Sequence, residues 1–278
     1  MVIIVCVSTA PALDVCLAAL DASLPAKTRI VIADDASGDP RVAPLAQHWC
    51  QHTHLQANYF RREQAIGYAR HRGELIAHYR DSDLVLLDGD AVPAPGWLQQ
   101  LVHCANTHAQ VATLSTWSNS AGLCSFPRFC EDNPLPASLD ALALASAILE
   151  SAELPDLPMA QGPCLFLRGQ ALRQLGGWDS ETFEALGAEV DFCLRAASMG
   201  WRNALCPTAF VGRSESAPSE PTGEDLHRLV ARWPDYQASL ARHFLTDPLR
   251  ALRERMIERM VERSDIRQRG GPQGDLFE

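Results

Sequence analysis

Three acidic clusters in this chain are placed where chemistry is easily built. The first closes an apolar run: Leu84 to Leu87 leads into Asp88-Gly89-Asp90, and Pro93, Pro95 and Gly96 then bar the strand from continuing. Four apolar residues in a row suit a strand buried on both faces. Two carboxylates are thereby delivered to its C-terminal edge, where open α/β sheets bind ligands. Such a pair can hold a divalent cation through hard oxygen atoms and leave positions for a diphosphate. The competing reading is a solvated turn after a strand.

The second cluster, Asp34-Asp35, closes the run Arg29 to Ala33 and so shares that edge. Asp35 can accept hydrogen bonds from a base N–H or a ribose hydroxyl, or it can simply form an Asx-turn with Ser37. Asp39 before Pro40 reads as a helix N-cap. The third cluster is Glu189 and Asp191, in the first turn of a helix whose apolar stripe is Val190, Cys193, Leu194 and Ala197. Carboxylates there complement the positive end of the helix dipole.

These residues need elements to hold them in register. Val2 to Val7 reads as the first, central strand. A helix follows with Leu13, Val15, Cys16, Leu17 and Leu20 largely on one side, and Leu55 to Phe60 is a further strand. Helices are expected at 42–49, 65–79, 98–104, 137–150, 169–175 and from Glu189 to Gly200, and strands at 111–116, 163–168, 201–206 and 209–212. Strand and helix alternate, the pattern of a sheet covered on both faces. Residues 118–136 have no periodicity and are too long for an idle connection. Helices are expected again at 225–240 and 249–263, the latter with Leu249, Leu252, Met256, Met260 and Val261 at helical spacing. That stripe suits packing on its own domain first and homodimerisation second; the Glu rows beside its Arg rows disfavour a membrane surface.

Composition narrows the class. The net charge of −10 argues against nucleic acid as the main partner, since phosphate binding needs a basic face. No apolar run approaches the length of a transmembrane segment, and the N-terminus reads as a strand rather than a signal peptide. Nine cysteines without a C-x-x-C pair suit a reduced, cytoplasmic protein. Cys50-x-His52-x-His54 lacks a second ligand pair for zinc.

The order of motifs resembles the family 2 glycosyltransferases. The resemblance is carried by the first strand, Val31-Ile-Ala-Asp-Asp-Ala-Ser-Gly-Asp39, Ala69-Arg-His-Arg-Gly73 and Leu86-Leu-Asp-Gly-Asp-Ala-Val-Pro-Ala-Pro-Gly-Trp-Leu98. It continues through Gly162-Pro-Cys-Leu-Phe-Leu-Arg168, Leu175-Gly-Gly-Trp-Asp179 and Glu189-Val-Asp-Phe-Cys-Leu-Arg195 with Gly200-Trp201, about three quarters of the chain. It implies an α/β fold of GT-A type, with a mixed, mainly parallel sheet flanked by helices and followed by a C-terminal helical extension. Residues 1–215 would form the transferase domain, with a nucleotide-sugar-binding half (1–117) and an acceptor-side half (118–215). Residues 216–266 would be the extension and 267–278 a disordered tail.

The resemblance further implies a nucleotide-diphosphate sugar as donor, a hydroxyl acceptor and inverting transfer with Mg²⁺ or Mn²⁺. Asp35 would contact the nucleobase with Arg70 nearby, Asp88 the ribose and metal, and Asp90 the metal between the phosphates. Glu189 would be the base, with Asp191 second. Trp178 and Asp179 fall on the acceptor side; Trp178 would stack on a sugar face or serve as a core residue with a partner for its N–H. Ala188-Glu189 departs from the family's Glu-Asp-x-Asp pattern, and His71 stands where its usual Asn would be. Arg213 stands near the position of a metal-ligating His; Arg cannot ligate a cation but can pair with the diphosphate. Two other functions compete. A non-catalytic domain binding a nucleotide sugar or a protein would tolerate these departures. A nucleotidyltransferase would need a glycine-rich basic loop after the first strand, which Val7-Ser-Thr-Ala-Pro11 does not offer.

Overall fold

Strands β1 (Val2–Cys6), β2 (Arg29–Asp34) and β4 (Leu84–Asp88) run parallel and side by side, with Ile4 paired to both Val31 and Leu86. Their residues alternate between two apolar layers. Ile3, Val5, Ile30, Ile32, Val85 and Leu87 face one layer, with α1 (Ala10–Ser23), α2 (Val42–His52) and α4 (Trp97–Thr107). Ile4, Val31, Leu84 and Leu86 face the other, with α3 (Tyr68–Tyr79), α6 (Gly169–Leu175) and α7 (Gly187–Ser198). Burial on both faces explains why these strands read as unbroken apolar runs rather than alternating ones. The computed structural model describes residues 1–147, 149, 154–215 and 221–269.

The sheet has eight strands in the order β3-β2-β1-β4-β7-β6-β8-β5. The outer members are β3 (Gln56–Arg61), β5 (Ala91–Pro93), β6 (Val111–Trp117), β7 (Cys164–Leu167) and β8 (Arg202–Arg213). β7 is antiparallel to both β4 and β6, and β5 is antiparallel to β8, so the sheet is mixed with its first half parallel. Residues on both sides of position 117 therefore share one sheet. β5 was not expected, since the prolines end the preceding strand. The chain turns at Asp88-Gly89-Asp90 and pairs at the far edge, where a proline is tolerated. The two short strands expected at 201–212 are one strand, with an irregularity in its pairing to β6 near Pro207.

Local signals set the helix ends. Thr9 accepts from the Ala12 N–H and caps α1; Val15, expected on its buried side, is exposed. Asp39 accepts from the Arg41 N–H in a turn before α2 rather than capping it directly. α3 starts at Tyr68, later than expected, behind Gly67 in a left-handed conformation (φ 91°). α5 (Leu139–Ser146) is shorter than the expected 137–150, of which 148 and 150 lie outside the described residues. The single helix expected at 225–240 is two, α8 (Gly223–Arg232) and α9 (Tyr236–Thr246), because Pro234 cannot continue a helix. α10 (Arg250–Arg269) takes in residues 267–269 of the expected tail; 270–278 lie outside the described residues.

The C-terminal helices are built into the fold. Leu249, Leu252 and Met256 are buried with Trp117, Phe126 and Leu142 in a third apolar cluster. The stripe of α10 thus packs on its own chain, while Ile257 and Val261 stay exposed. Among the described residues, no helix is long and apolar enough to cross a membrane.

Candidate active site

The C-terminal ends of β1 and β4, the start of α7 and the end of β8 open onto one cavity of about 480 Å³. Asp88, Gly89 and Asp90, Tyr68 and Arg72 of α3, Glu189 and Arg213 all line it. Gly89 is required by close approach: a Cβ there would lie 2.6 Å from the Ser8 nitrogen and 2.7 Å from the Cys6 carbonyl oxygen. A side chain at 89 would push the β4 turn away from β1 and move both carboxylates.

Arg213 lies at the centre of the charge arrangement. One guanidinium nitrogen (Nη1) reaches both oxygens of Asp90, at 3.2 and 3.0 Å, and the other donates to Asp88 Oδ2. Arg72 donates to the remaining oxygen, Asp88 Oδ1, and lies over the Tyr68 ring at 4.1 Å. Burial pushes Asp88 upward, but the two guanidiniums outweigh it and hold the carboxyl below its usual range. For Asp90 burial wins, and with Asp88 nearby it rises to about 6 despite Arg213.

Glu189 is buried, 7 % exposed, on the first turn of α7. Burial raises its carboxyl to about 7; Arg72 draws it down and Asp88 pushes it further up. A carboxylate poised near neutrality at the wall of a cavity is the profile of a general base.

The other residues singled out in the sequence lie elsewhere. Asp191 is fully buried outside the cavity lining. Arg195 Nε (2.7 Å), Arg232 Nη1 (3.0 Å) and Trp233 Nε1 (3.0 Å) all donate to it, which makes it an anchor between α7 and α8 rather than a second base. Asp179 likewise accepts from Arg232 (2.8 Å) and the Thr182 N–H (3.1 Å), an engagement at odds with an acceptor role. Trp178 is buried in the second apolar layer, 7 % exposed, and stacks on Tyr68 with ring centres 6.2 Å apart. Its indole N–H has no hydrogen-bond partner among the described residues, so the partner expected for a core tryptophan is missing. Asp35 accepts from the Ile66 and Gly67 N–H groups (2.8–3.2 Å) and fixes the entry to α3. Arg70 is exposed and does not line the cavity.

Three residues missed in the sequence do more. Arg72, two positions after Arg70, carries the charge into the site. Its spacing from Ala69 and Ile76 on the apolar stripe of α3 was the available signal. Asn119 locks Arg213: its Oδ1 accepts from the Arg213 N–H (2.8 Å) and its Nδ2 donates to the Arg213 carbonyl (3.2 Å). Residues 118–136 thus hold the site's arginine, and of them only Ala121 lines the cavity. Asp225 of α8, fully buried, accepts from the N–H groups of Glu184, Ala185 and Gly187 and fixes the start of α7.

The site can accept a divalent cation in composition. Among the described residues no group of three His, Cys, Asp or Glu side chains is arranged to hold a metal. Asp88 and Asp90 nevertheless supply two carboxylates on the cavity wall, and Mg²⁺ is commonly bound by one or two carboxylates together with phosphate oxygens and water. The residues fit the cation once a diphosphate completes its shell.

A mixed sheet with an acidic turn at the end of its fourth strand, flanked by helices on both sides, is the GT-A architecture of the nucleotide-sugar glycosyltransferases. Known structures agree. The mannosyltransferase PcManGT from Pyrobaculum calidifontis, in complex with GDP-Man and Mn²⁺, superimposes with a TM-score of 0.56 at 17 % identity, over 98 % of this chain and 75 % of its own. GalNAc-T7 with UDP, GalNAc and Mn²⁺ gives 0.64 at 15 % identity, over 96 % of this chain and 57 % of its own. TarS of S. aureus gives 0.56 at 14 % identity, over 94 % of this chain and 43 % of its own. The chain thus spans about half the length of the last two. No curated protein matches it in sequence. Residues 1–131 match the family model described as Glycosyl transferase family 2, which bears out the resemblance read from the motifs. Over residues 1–131 the chain is thus similar to the family 2 glycosyltransferases, and the solved structures show that it has their fold.

Proposed function

We propose that the protein is an inverting glycosyltransferase that moves a sugar from a nucleotide-diphosphate sugar to an acceptor hydroxyl, with Glu189 as the base. One observation carries this reading. Glu189 and the Asp88-Gly89-Asp90 turn, from elements a hundred residues apart in sequence, face the same cavity. The acceptor oxygen would attack the anomeric carbon as the bond to the departing diphosphate breaks, and its proton would pass to a Glu189 oxygen. A single displacement of this kind needs one base and no protein nucleophile.

Arg72 and Arg213 would meet the diphosphate oxygens, for which a guanidinium fork is well shaped. Asp90 and Asp88 would hold Mg²⁺ or Mn²⁺, as the Mn²⁺ of two structural neighbours supports. When bound, the cation offsets charge growing on the leaving group. Asp35 keeps part of its carboxylate exposed, 22 %, for a donor on the nucleobase. Nine unpaired cysteines support a reducing, cytoplasmic setting.

A thermal-shift screen of UDP, GDP, dTDP and CDP, each with and without Mn²⁺, tests the reading. Stabilisation by at least one diphosphate is expected, and no shift with any of them would overturn it. A second reading, a domain that binds a nucleotide sugar without turnover, is favoured by the pairing of both acidic-turn carboxylates with Arg213. A shift with no transfer or donor hydrolysis would select it.

A further inference from the structure

All four carboxylate oxygens of Asp88 and Asp90 accept from a guanidinium: three from Arg213 and one, Asp88 Oδ1, from Arg72. Two negative charges thus face two positive ones, and the cluster has no net charge with which to attract a dication. A lone cation would also have to break charge-assisted hydrogen bonds, the stronger class. A diphosphate changes this balance, because it offers anionic oxygens to the same guanidiniums and frees the carboxylates.

We propose that Arg213 is a counterion for the Asp88/Asp90 pair that a nucleoside diphosphate must draw off, so that cation and diphosphate enter the site together. The inference rests on the donor-site reading above and adds an order of events to it. Position 213 is suited to this because its backbone is fixed while its side chain is not part of the sheet. The Asn119 amide grips its N–H and carbonyl, and the pairing of Ala91 with Arg213 sets it beside Asp90. Only the side chain needs to turn, from the carboxylates toward the cavity that it already lines. Binding free energies are reciprocal, so the diphosphate should tighten cation binding by the factor by which the cation tightens the diphosphate.

The full chain, wild type and Arg213→Gln, would be titrated with Mn²⁺ alone, with free Mn²⁺ followed by its electron paramagnetic resonance signal. The titration would then be repeated with UDP and with GDP. Mn²⁺ alone is expected to bind the variant about tenfold or more tightly than the wild type. Added diphosphate is expected to tighten Mn²⁺ binding more in the wild type than in the variant. Equal affinity of both proteins for Mn²⁺ alone overturns the proposal. If Arg213→Gln does not fold, as circular dichroism would show, Arg213→Met carries the comparison, since it also removes the charge and keeps an unbranched side chain. Tighter Mn²⁺ binding than wild type then supports the proposal, and equal or weaker binding overturns it. A wild type that binds none of UDP, GDP, CDP or dTDP at saturating Mn²⁺ overturns the donor-site reading itself. A wild type that binds a diphosphate, with Mn²⁺ affinity indifferent to position 213, overturns the counterion role alone.

Discussion

At the scale of single residues, Glu189 is the group whose chemistry is most exposed to test. Replacing it with Gln keeps its size and removes its basicity. Transfer should fall by about 10²–10⁴-fold while nucleoside diphosphate affinity is unchanged, measured by initial rates beside a binding titration. Its carboxyl is raised by burial to about 7, so kcat/KM should climb with pH through that value as the base loses its proton, and the Gln variant should lack the step. The same shift has a stability sign. Below the ordinary value of 4.5 the group is protonated in both folded and unfolded chains. Between 4.5 and about 7 only the unfolded chain ionises, so stability falls as pH rises across that window. The loss is on the order of 3 kcal/mol, complete above the folded value. Urea denaturation at pH 5 and pH 8 should show the wild type losing more stability than Glu189→Gln.

At the scale of elements, the base is only as well placed as the helix that carries it. α7 starts on Asp225, whose buried carboxylate takes three backbone N–H groups from residues 184–187. Replacing it with Asn removes the charge and aims an amide N–H₂ at donors. The cost should be about 1–3 kcal/mol by urea denaturation. Turnover should drop, and nucleoside diphosphate affinity should persist because the acidic turn after β4 is seated against β1 and not on this contact. Gly187 gives an independent check. A Cβ there would lie 2.8 Å from the Asp225 carboxyl carbon and 2.7 Å from the Phe183 ring, so Gly187→Ala should perturb the same helix start. Comparable loss of turnover in both variants is the expected result; unchanged turnover in both would remove α8 from the account of the site.

At the scale of the whole molecule, the C-terminal helices act as a brace. α8 holds α7 through Asp191, Arg232 and Trp233, and α10 closes the third apolar cluster beneath residues 117–126. Met256 is fully buried there, so Met256→Ala should cost about 2–5 kcal/mol in denaturant unfolding. Val261, 55 % exposed on the same helix, should tolerate Ala with a change under about 0.5 kcal/mol. A large effect at Val261 would point to a partner on that face, and sedentation by analytical ultracentrifugation would then separate monomer from dimer.

The sequence alone settled what repeats over short distances. Apolar runs marked β1, β2 and β4, because a strand buried on both faces has no other way to write itself, and the acidic turns that end β2 and β4 marked the ligand edge. The helix carrying Glu189 was legible from Val190 and Cys193, although Ala197 of the expected stripe is exposed and Phe192 and Ala196 are buried instead. A resemblance to the family was legible from the order of its motifs. Which carboxylate faces the cavity was not legible. Glu189 and Asp191 are two residues apart on the first turn of one helix, and the placement of α8 decides that one lines the cavity and the other is an anchor. The choice of Arg72 over Arg70 and the grip of Asn119 on Arg213 are likewise tertiary. So is the meeting of Arg213 with Asp88 and Asp90, which are more than 120 residues away. Periodicity reports which face of an element is buried; only packing reports what that face is buried against, and the charge balance of this site depends on the second.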